Sequence, residues 1–288
     1  MQICHIDDPN DPRIAAYHKI RERDLTGRDG LFVAEGKVVL NVLFSAKRFD
    51  VESVLILENR LDGVRAALYQ STSNLPVYTA SANVMDQITG FHVHRGVLAV
   101  GRKRVADGVS EVLEALATEA LIVVLVGISN HDNMGAIFRN AAAFGADAVL
   151  LDETSCDPLY RKSIRVSVGA VLRVPFAVGG TASEIMNTLT HLGFEQFALS
   201  PAGTTDIRDI RRSNRTALYL GTEGEGLPPT LMAQLKTARI EMAPGFDSLN
   251  VAAASAIALH HFQQSDTQIA DLKYSRQLSG ARAPARQD

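Results

Sequence analysis

LIVVLVGISNHDNMGAIFRNAAAFG, residues 121–145, runs from a continuous apolar stretch through two asparagines into a helical pattern that carries one arginine. An apolar run this short, closed by a glycine, reads as a strand buried on both faces, as parallel sheets require. Asn130 and Asn133 flank the helix start, where an amide side chain can cap free backbone N–H groups or fix a ligand. Arg139 falls on the second turn among Met134, Ala136, Ile137, Phe138, Ala141 and Ala142. A guanidinium in such company cannot be buried alone, so it is either half of a structural ion pair or an anion-binding group. Two later segments, LYLGTEGEGLPP (218–229) and IEMAPGFDSLNVAAASAIALHHF (240–262), repeat the passage from apolar strand to polar loop. Open α/β sheets bind ligands in the crevice outside the carboxyl ends of their strands, which makes these three loops the candidate site.

Outward from this stretch, strands are expected near 121–128, 147–151, 174–178, 194–199, 216–221 and 238–243, with helices between them, which implies a largely parallel sheet. Ser248 is a candidate N-cap for the alanine-rich helix that follows it. Toward the N-terminus, a helical segment near 13–23 precedes EGKVVLNVLFSA (35–46), whose Val38, Val39, Val42 and Leu43 recur at helical spacing. Strand candidates follow at 51–57, 75–80 and 96–101, separated by the helix patterns DGVRAALYQS and SANVMDQITG, so a mixed sheet covered by helices is expected. These readings divide the chain into an α/β unit at 1–105, a linker at 106–118, a second α/β domain at 119–265 and a tail at 266–288, rich in small and charged residues, that is expected to be disordered.

With 288 residues and 46% hydrophobic content, the chain has enough interior for two soluble α/β units. Its longest apolar run falls far short of the roughly 20 residues of a membrane-spanning helix. The N-terminus, MQICHIDDPNDPR, has acidic residues and prolines where a secretory signal needs a basic start and an apolar core, so a cytoplasmic location is expected. Two cysteines, Cys4 and Cys156, without a CxxC pair, argue against a disulfide framework or a zinc site. His92 and His94 form an H-x-H on a strand edge, but no third ligand is spaced to join them, and no metal is expected. The net charge of −3 argues against a nonspecific nucleic-acid coat but is unevenly divided: residues 1–105 hold 14 Lys and Arg against 12 Asp and Glu, the remainder 15 against 20. Local clusters are what phosphates require. Arg95, Arg102, Lys103 and Arg104 near the junction, and Arg161, Lys162 and Arg165 beyond it, are either phosphate contacts or solvated surface; Arg208, Arg211, Arg212 and Arg215 form a further cluster.

GTEGEG is GxxGxG, not the dinucleotide fingerprint GxGxxG, and Glu223 and Glu225 would repel a pyrophosphate. A glycine-rich but anionic loop suits a ligand with hydrogen-bonding edges and a positive charge, and S-adenosylmethionine fits that description.

Together the loops resemble the three signature motifs of the SpoU, or TrmH-like, RNA ribose methyltransferases of the SPOUT superfamily. Asn133, Gly135 and Arg139 match the first motif. Gly221, Glu223, Gly224, Gly226 and Leu227 match the second, and Ser248, Leu249, Asn250 and Val251 the third. The similarity covers 121–264, and the first hundred residues are similar to the substrate-binding domain that precedes it in many members. In one respect the chain departs from the pattern: the last strand ends Met242, Ala243, Pro244 and reaches Ser248 after only Gly245, Phe246 and Asp247. The resemblance implies an α/β fold with a trefoil knot in the C-terminal half, a homodimer, and methyl transfer from S-adenosylmethionine to a ribose 2′-hydroxyl of tRNA or rRNA. It implies catalytic roles for Arg139, Asn133, Glu223, Ser248 and Asn250. Leu220, Gly221, Gly224, Met242 and Leu249 would bind the cofactor, and Arg95, Arg102, Lys103, Arg104, Arg161 and Arg165 the RNA. Two other classes stay open: a noncatalytic RNA-binding protein that keeps the fold, and a nucleotide-dependent oxidoreductase, against which the anionic loop speaks.

Overall fold

The computed structural model describes residues 3–18, 30–71, 74–104 and 108–263. Residues 19–23 of the expected first helix and the tail at 266–288 lie outside the described residues. Two sheets organise the rest. The first has the order β1-β4-β3-β5-β2, from β1 (Ile3–His5), β2 (Leu31–Glu35), β3 (Asp50–Leu57), β4 (Val77–Ala80) and β5 (Val97–Arg102). It is mixed: β4 runs parallel to β1 and β3, while β5 pairs antiparallel with β2 and β3. Helices α1 (Lys37–Ala46), α2 (Leu61–Leu68) and α3 (Ala82–Thr89) accompany it. Residues 12–17 form a 3-10 helix begun by Pro12 and capped by Asp11 where the sequence predicts the start of an α-helix. Strands β1 and β2 carried no reading in the sequence, because each is short and abuts a charged or turn-forming segment.

In the second sheet the order is β10-β12-β9-β11-β6-β7-β8 and every pairing is parallel. Its elements, in chain order, are α4 (Val109–Glu114), β6 (Ala120–Leu125), α5 (His131–Ala143), β7 (Ala148–Leu151), α6 (Arg161–Val166), α7 (Ala170–Arg173), β8 (Phe176–Val178), α8 (Ala182–His191), β9 (Glu195–Leu199), β10 (Thr205–Asp206), β11 (Arg215–Leu220), α9 (Pro229–Met232), β12 (Lys236–Arg239) and α10, a helix over 251–263. All six side chains of β6 are fully buried, which is why this strand shows no polar alternation. Within the expected linker, α4 buries Val112 and Leu113 in the core on one face of the second sheet. No helix among the described residues is long and apolar enough to cross a membrane.

Strand ends differ from their sequence-based placement in a way that shapes the site. The last strand was expected at 238–243, whereas β12 covers Lys236–Arg239. It pairs with β9 as far as Ala238 opposite Leu199 and with β10 as far as Arg239 opposite Asp206; both neighbours end there, and β12 has no ladder partner beyond Arg239. Residues 240–243 are thereby released from the sheet. Likewise β6 stops at Leu125, because Gly127 takes a φ of 68° that no strand accommodates.

The two sheets share one apolar cluster. Val39, Leu40 and Leu43 of α1 belong to it together with Val171 and Leu172 of α7, and α1 packs against α7 while α6 packs against β2. Gly169, at the start of α7, has φ 86° and lies so near Val42 that a Cβ would stand 3.2 Å from it. Three polar ties cross the same boundary: Arg48 Nη1 donates to the Val174 carbonyl at 2.7 Å, Lys103 Nζ meets Asp157 Oδ2 at 2.5 Å, and Arg161 Nη1 meets Glu35 Oε2 at 2.7 Å.

Candidate active site

Strands β12, β9 and β11 are adjacent and parallel, so their carboxyl ends open on one edge of the sheet. The chain leaving them, with the loop that leads into α10, encloses a cavity of about 340 Å³. Leu220, Gly221, Gly224, Met242 and Leu249 all line it, as do Glu223, Ser248 and Asn250. Leu199, Ser200 and Pro201, at the end of β9, line it too and went unread in the sequence. Their signal was available: a Ser-Pro turn closing a parallel strand, at the carboxyl edge where ligands bind.

The second loop owes its shape to glycine. A Cβ on Gly221 would lie 2.4 Å from the carbonyl carbon of Gly226, because the loop folds back on itself. Thr222 N–H donates to the Gly226 carbonyl at 3.3 Å and Gly226 N–H returns the bond at 3.2 Å. Gly224 and Gly226 take φ of 95° and 72°. This tight reversal exposes Glu223 and sets Gly221, Gly224 and Gly226 along the cavity wall, where no side chain stands between the backbone and a ligand.

Three of the predicted polar residues meet in one hydrogen-bonded triangle. Asn133, buried in the first turn of α5, donates through Nδ2 to Glu223 Oε1 at 2.5 Å. Asn250 Nδ2 donates to the same oxygen at 2.8 Å and to Asn133 Oδ1 at 3.0 Å. The other half of the Asn250 amide accepts from Ala252 N–H at 2.9 Å and Ala253 N–H at 3.2 Å, so Asn250 is the N-cap of α10. This corrects the assignment of the cap to Ser248. A cap must immediately precede the first helical residue for its oxygen to reach the free N–H groups, and Ser248 sits too early; its hydroxyl contacts Asp247 at 3.3 Å. Asn130 caps α5, accepting from Asp132 N–H at 2.8 Å.

Arg139 does not join the triangle. Six residues beyond Asn133, it lies about 120° round the helix axis, and it is exposed. Of the two options left by the sequence, the ion pair falls away: among the described residues Arg139 has no hydrogen bond or salt bridge. Its guanidinium is open to an anion. Glu223, equally, has no basic partner among the described residues, and its charge is met only by amide N–H groups.

Of the six candidate RNA cations, four are engaged within the chain. Arg102 pairs with Glu52 at 2.5 Å and Arg104 with Asp50 at 2.8 Å, both in exposed positions. Lys103 and Arg161 make the inter-sheet ties described above. Arg95 is exposed, its side chain laid over Gly36, and Arg165 is half-buried; neither has an ion pair among the described residues. His92 bonds Asp86 at 3.0 Å, and no metal-ligating cluster gathers among the described residues. Both cysteines are free thiols, and burial pushes the Cys156 thiol up to about 11.

Residues 120–260 match the SpoU rRNA Methylase family. Over 274 residues the chain is 35% identical to an uncharacterised tRNA/rRNA methyltransferase of Mycobacterium tuberculosis, covering 92% of this chain and 93% of that one. Over 199 residues it is 29% identical to a 23S rRNA (guanosine-2′-O-)-methyltransferase of a Burkholderia species, covering 68% and 81%. Among solved structures, an AdoMet-bound rRNA methyltransferase of Sinorhizobium meliloti superposes with a TM-score of 0.77 at 22% identity, covering 91% of this chain and 97% of that one. The SpoU methyltransferase AviRb of Streptomyces viridochromogenes, in complex with AdoMet, also superposes with a TM-score of 0.77, at 21% identity and over 89% and 98%.

Proposed function

Because this chain belongs to the SpoU family of RNA methyltransferases, we propose that it transfers a methyl group from S-adenosylmethionine to a ribose 2′-hydroxyl of tRNA or rRNA. The observation that carries this reading is the Asn133–Glu223–Asn250 triangle standing at a glycine-walled cavity. The AdoMet complexes of the structural relatives and the 2′-O chemistry of the Burkholderia relative support it.

The cavity fits such a cofactor. Leu199, Leu220, Ile240 and Leu249 offer an apolar lining for a flat ring, and the glycines let backbone groups approach its polar edge. Glu223, an unpaired carboxylate, complements a positive charge nearby. When bound, the cofactor supplies an electrophilic methyl group on a sulfonium. Asn133 and Asn250 hold Glu223 in one orientation and, through the cap, tie that orientation to α10. Arg139 serves the other reactant: its free guanidinium binds a phosphate or orients the attacking hydroxyl and stabilises the charge that develops on its oxygen. It does not act as the base, since a guanidinium scarcely deprotonates in a protein.

The same reading carries a homodimer, a trefoil knot in the C-terminal half and a cytoplasmic location. Exposed Phe246, Leu249 and Ile257, on the third loop and α10, supply apolar surface beside the cavity that a second copy would cover. The first sheet, with its basic balance, is proposed to choose the RNA. The test is incubation of the purified protein with labelled S-adenosylmethionine and tRNA or rRNA lacking modifications, followed by mass analysis of nucleosides. A 2′-O-methylnucleoside is the expected product; label found only on bases overturns the ribose assignment, and no cofactor binding in calorimetry overturns the class.

A further inference from the structure

Arg161 read in the sequence as a candidate phosphate contact, yet its side chain is only 17% exposed and faces a carboxylate, Glu35, that is 7% exposed. On its other side the guanidinium lies 4.8 Å from the ring centroid of Phe91. Glu35 ends β2 of the first sheet and Phe91 lies just past α3, a helix that accompanies that sheet, whereas Arg161 opens α6, which accompanies the second. The helix that Arg161 opens is pressed onto α5: a Cβ on Gly135 would stand 2.6 Å from the Ser163 carbonyl oxygen, and Ser163 Oγ donates to the His131 carbonyl at 3.2 Å. Helix α5 carries both Asn133 and Arg139. A short, stiff path therefore leads from Glu35 and Phe91 through Arg161 and α6 to the catalytic helix.

We propose that Arg161 is a positioning residue, clamped between Glu35 and Phe91, that fixes the first sheet relative to α5 and so sets the distance between RNA held by that sheet and the site of methyl transfer. This rests on the methyltransferase reading above and assigns Arg161 to geometry in place of phosphate binding. Three physical points support the assignment. A buried pair is costly to desolvate and is broken only at the expense of a stranded charge, so its two elements move together. The guanidinium's planar fork and flat face let one residue grip a carboxylate and stack on an aromatic ring in one fixed geometry, which the compact ammonium of a lysine does not impose. The apolar contact of α1 with α7 beside it, and the Lys103–Asp157 tie, resist sliding of one sheet over the other.

The two roles for Arg161 predict opposite effects of Glu35→Gln. If Arg161 bound RNA, removing its competing carboxylate would leave KM for RNA unchanged or lower it. As a clamp, the variant should raise KM for RNA about tenfold while leaving KM for S-adenosylmethionine within twofold and kcat at saturating RNA largely intact. Glu35→Asp should recover part of the loss. Amide hydrogen exchange on the full chain without RNA gives a readout independent of activity: Glu35→Gln should speed exchange in both 31–35 and 161–166. Phe91→Leu, a milder change, should shift both measurements the same way and serves if Glu35→Gln folds poorly. Unaltered exchange in both segments overturns the clamp, and faster exchange with unchanged or lower KM for RNA overturns its positioning role. A wild-type protein that methylates no RNA overturns the methyltransferase reading instead, and the exchange measurement still decides the clamp.

Discussion

Asn250 holds two tasks in one amide: its oxygen caps α10 and its nitrogen binds Glu223 and Asn133. Replacing it with alanine should therefore cost about 1 kcal/mol of stability through the lost cap and also loosen Glu223. Ser248→Ala, which removes only an exposed hydroxyl contact, should leave the denaturation midpoint within experimental scatter. Equal losses in chemical denaturation would refute the assignment of the cap. Arg139 presents the converse case, a residue with nothing to lose structurally. Arg139→Ala should keep its melting temperature yet drop kcat by roughly 100-fold or more, the scale for removing a donor that stabilises developing negative charge. Turnover equal to wild type would take Arg139 out of the reaction.

At the scale of elements, the approach of α5 to α6 is set by the absence of a side chain at Gly135. An alanine there meets backbone at 2.6 Å and Val166 at 2.9 Å, neither of which can swing away. Gly135→Ala should destabilise by about 1–3 kcal/mol, the usual range for an overpacked core contact, and reduce activity more than stability because Asn133 rides on the displaced turn. In the second loop, Gly221→Ala would force the 221–226 reversal open. Calorimetry on the folded variant should show at least a tenfold loss of affinity for S-adenosylmethionine, together with a lowered melting temperature, since Gly221 is buried and its clash is with backbone; unaltered affinity would mean that this loop does not hold the cofactor.

For the whole molecule, the shared apolar cluster alters what a truncation can show. Removing residues 1–105 leaves Val171 and Leu172, now fully buried, without α1 over them. The shortened chain should aggregate or bind a hydrophobic dye such as ANS, in contrast to the full chain, and point substitutions at Arg95 become the cleaner test of RNA recognition by the first sheet. A monodisperse truncated protein with unchanged dye binding would show that the two sheets fold independently. Sedimentation of the full chain should give twice its 31.1 kDa mass, with Phe246→Asp shifting the equilibrium toward monomer.

Most of the longer strands, the parallel character of the second sheet and the three polar loops were legible in the sequence because each depends on short-range pattern: apolar runs of strand length, glycines where a chain must reverse, and amides at helix starts; the short β1, β2 and β10 carry too little of it. The cavity-lining Gly221, Met242 and Leu249 were named by the resemblance of their loops to the SpoU motifs, and the cavity formed by those loops includes all three. What tertiary structure decided was partnership. That β12 ends at Arg239 follows from where its two neighbours, β9 and β10, run out, and that Arg161 faces Glu35 follows from the packing of α6 on β2, 126 residues apart in sequence. The separation of Arg139 from the Asn133–Glu223–Asn250 triangle, and the claim of Asn250 over Ser248 to the cap, likewise depend on which face of a helix turns inward and where that helix begins. Local pattern selects which groups are available; only the close packing of distant segments determines which of them touch, because a hydrogen bond or ion pair needs its partner within about 3 Å.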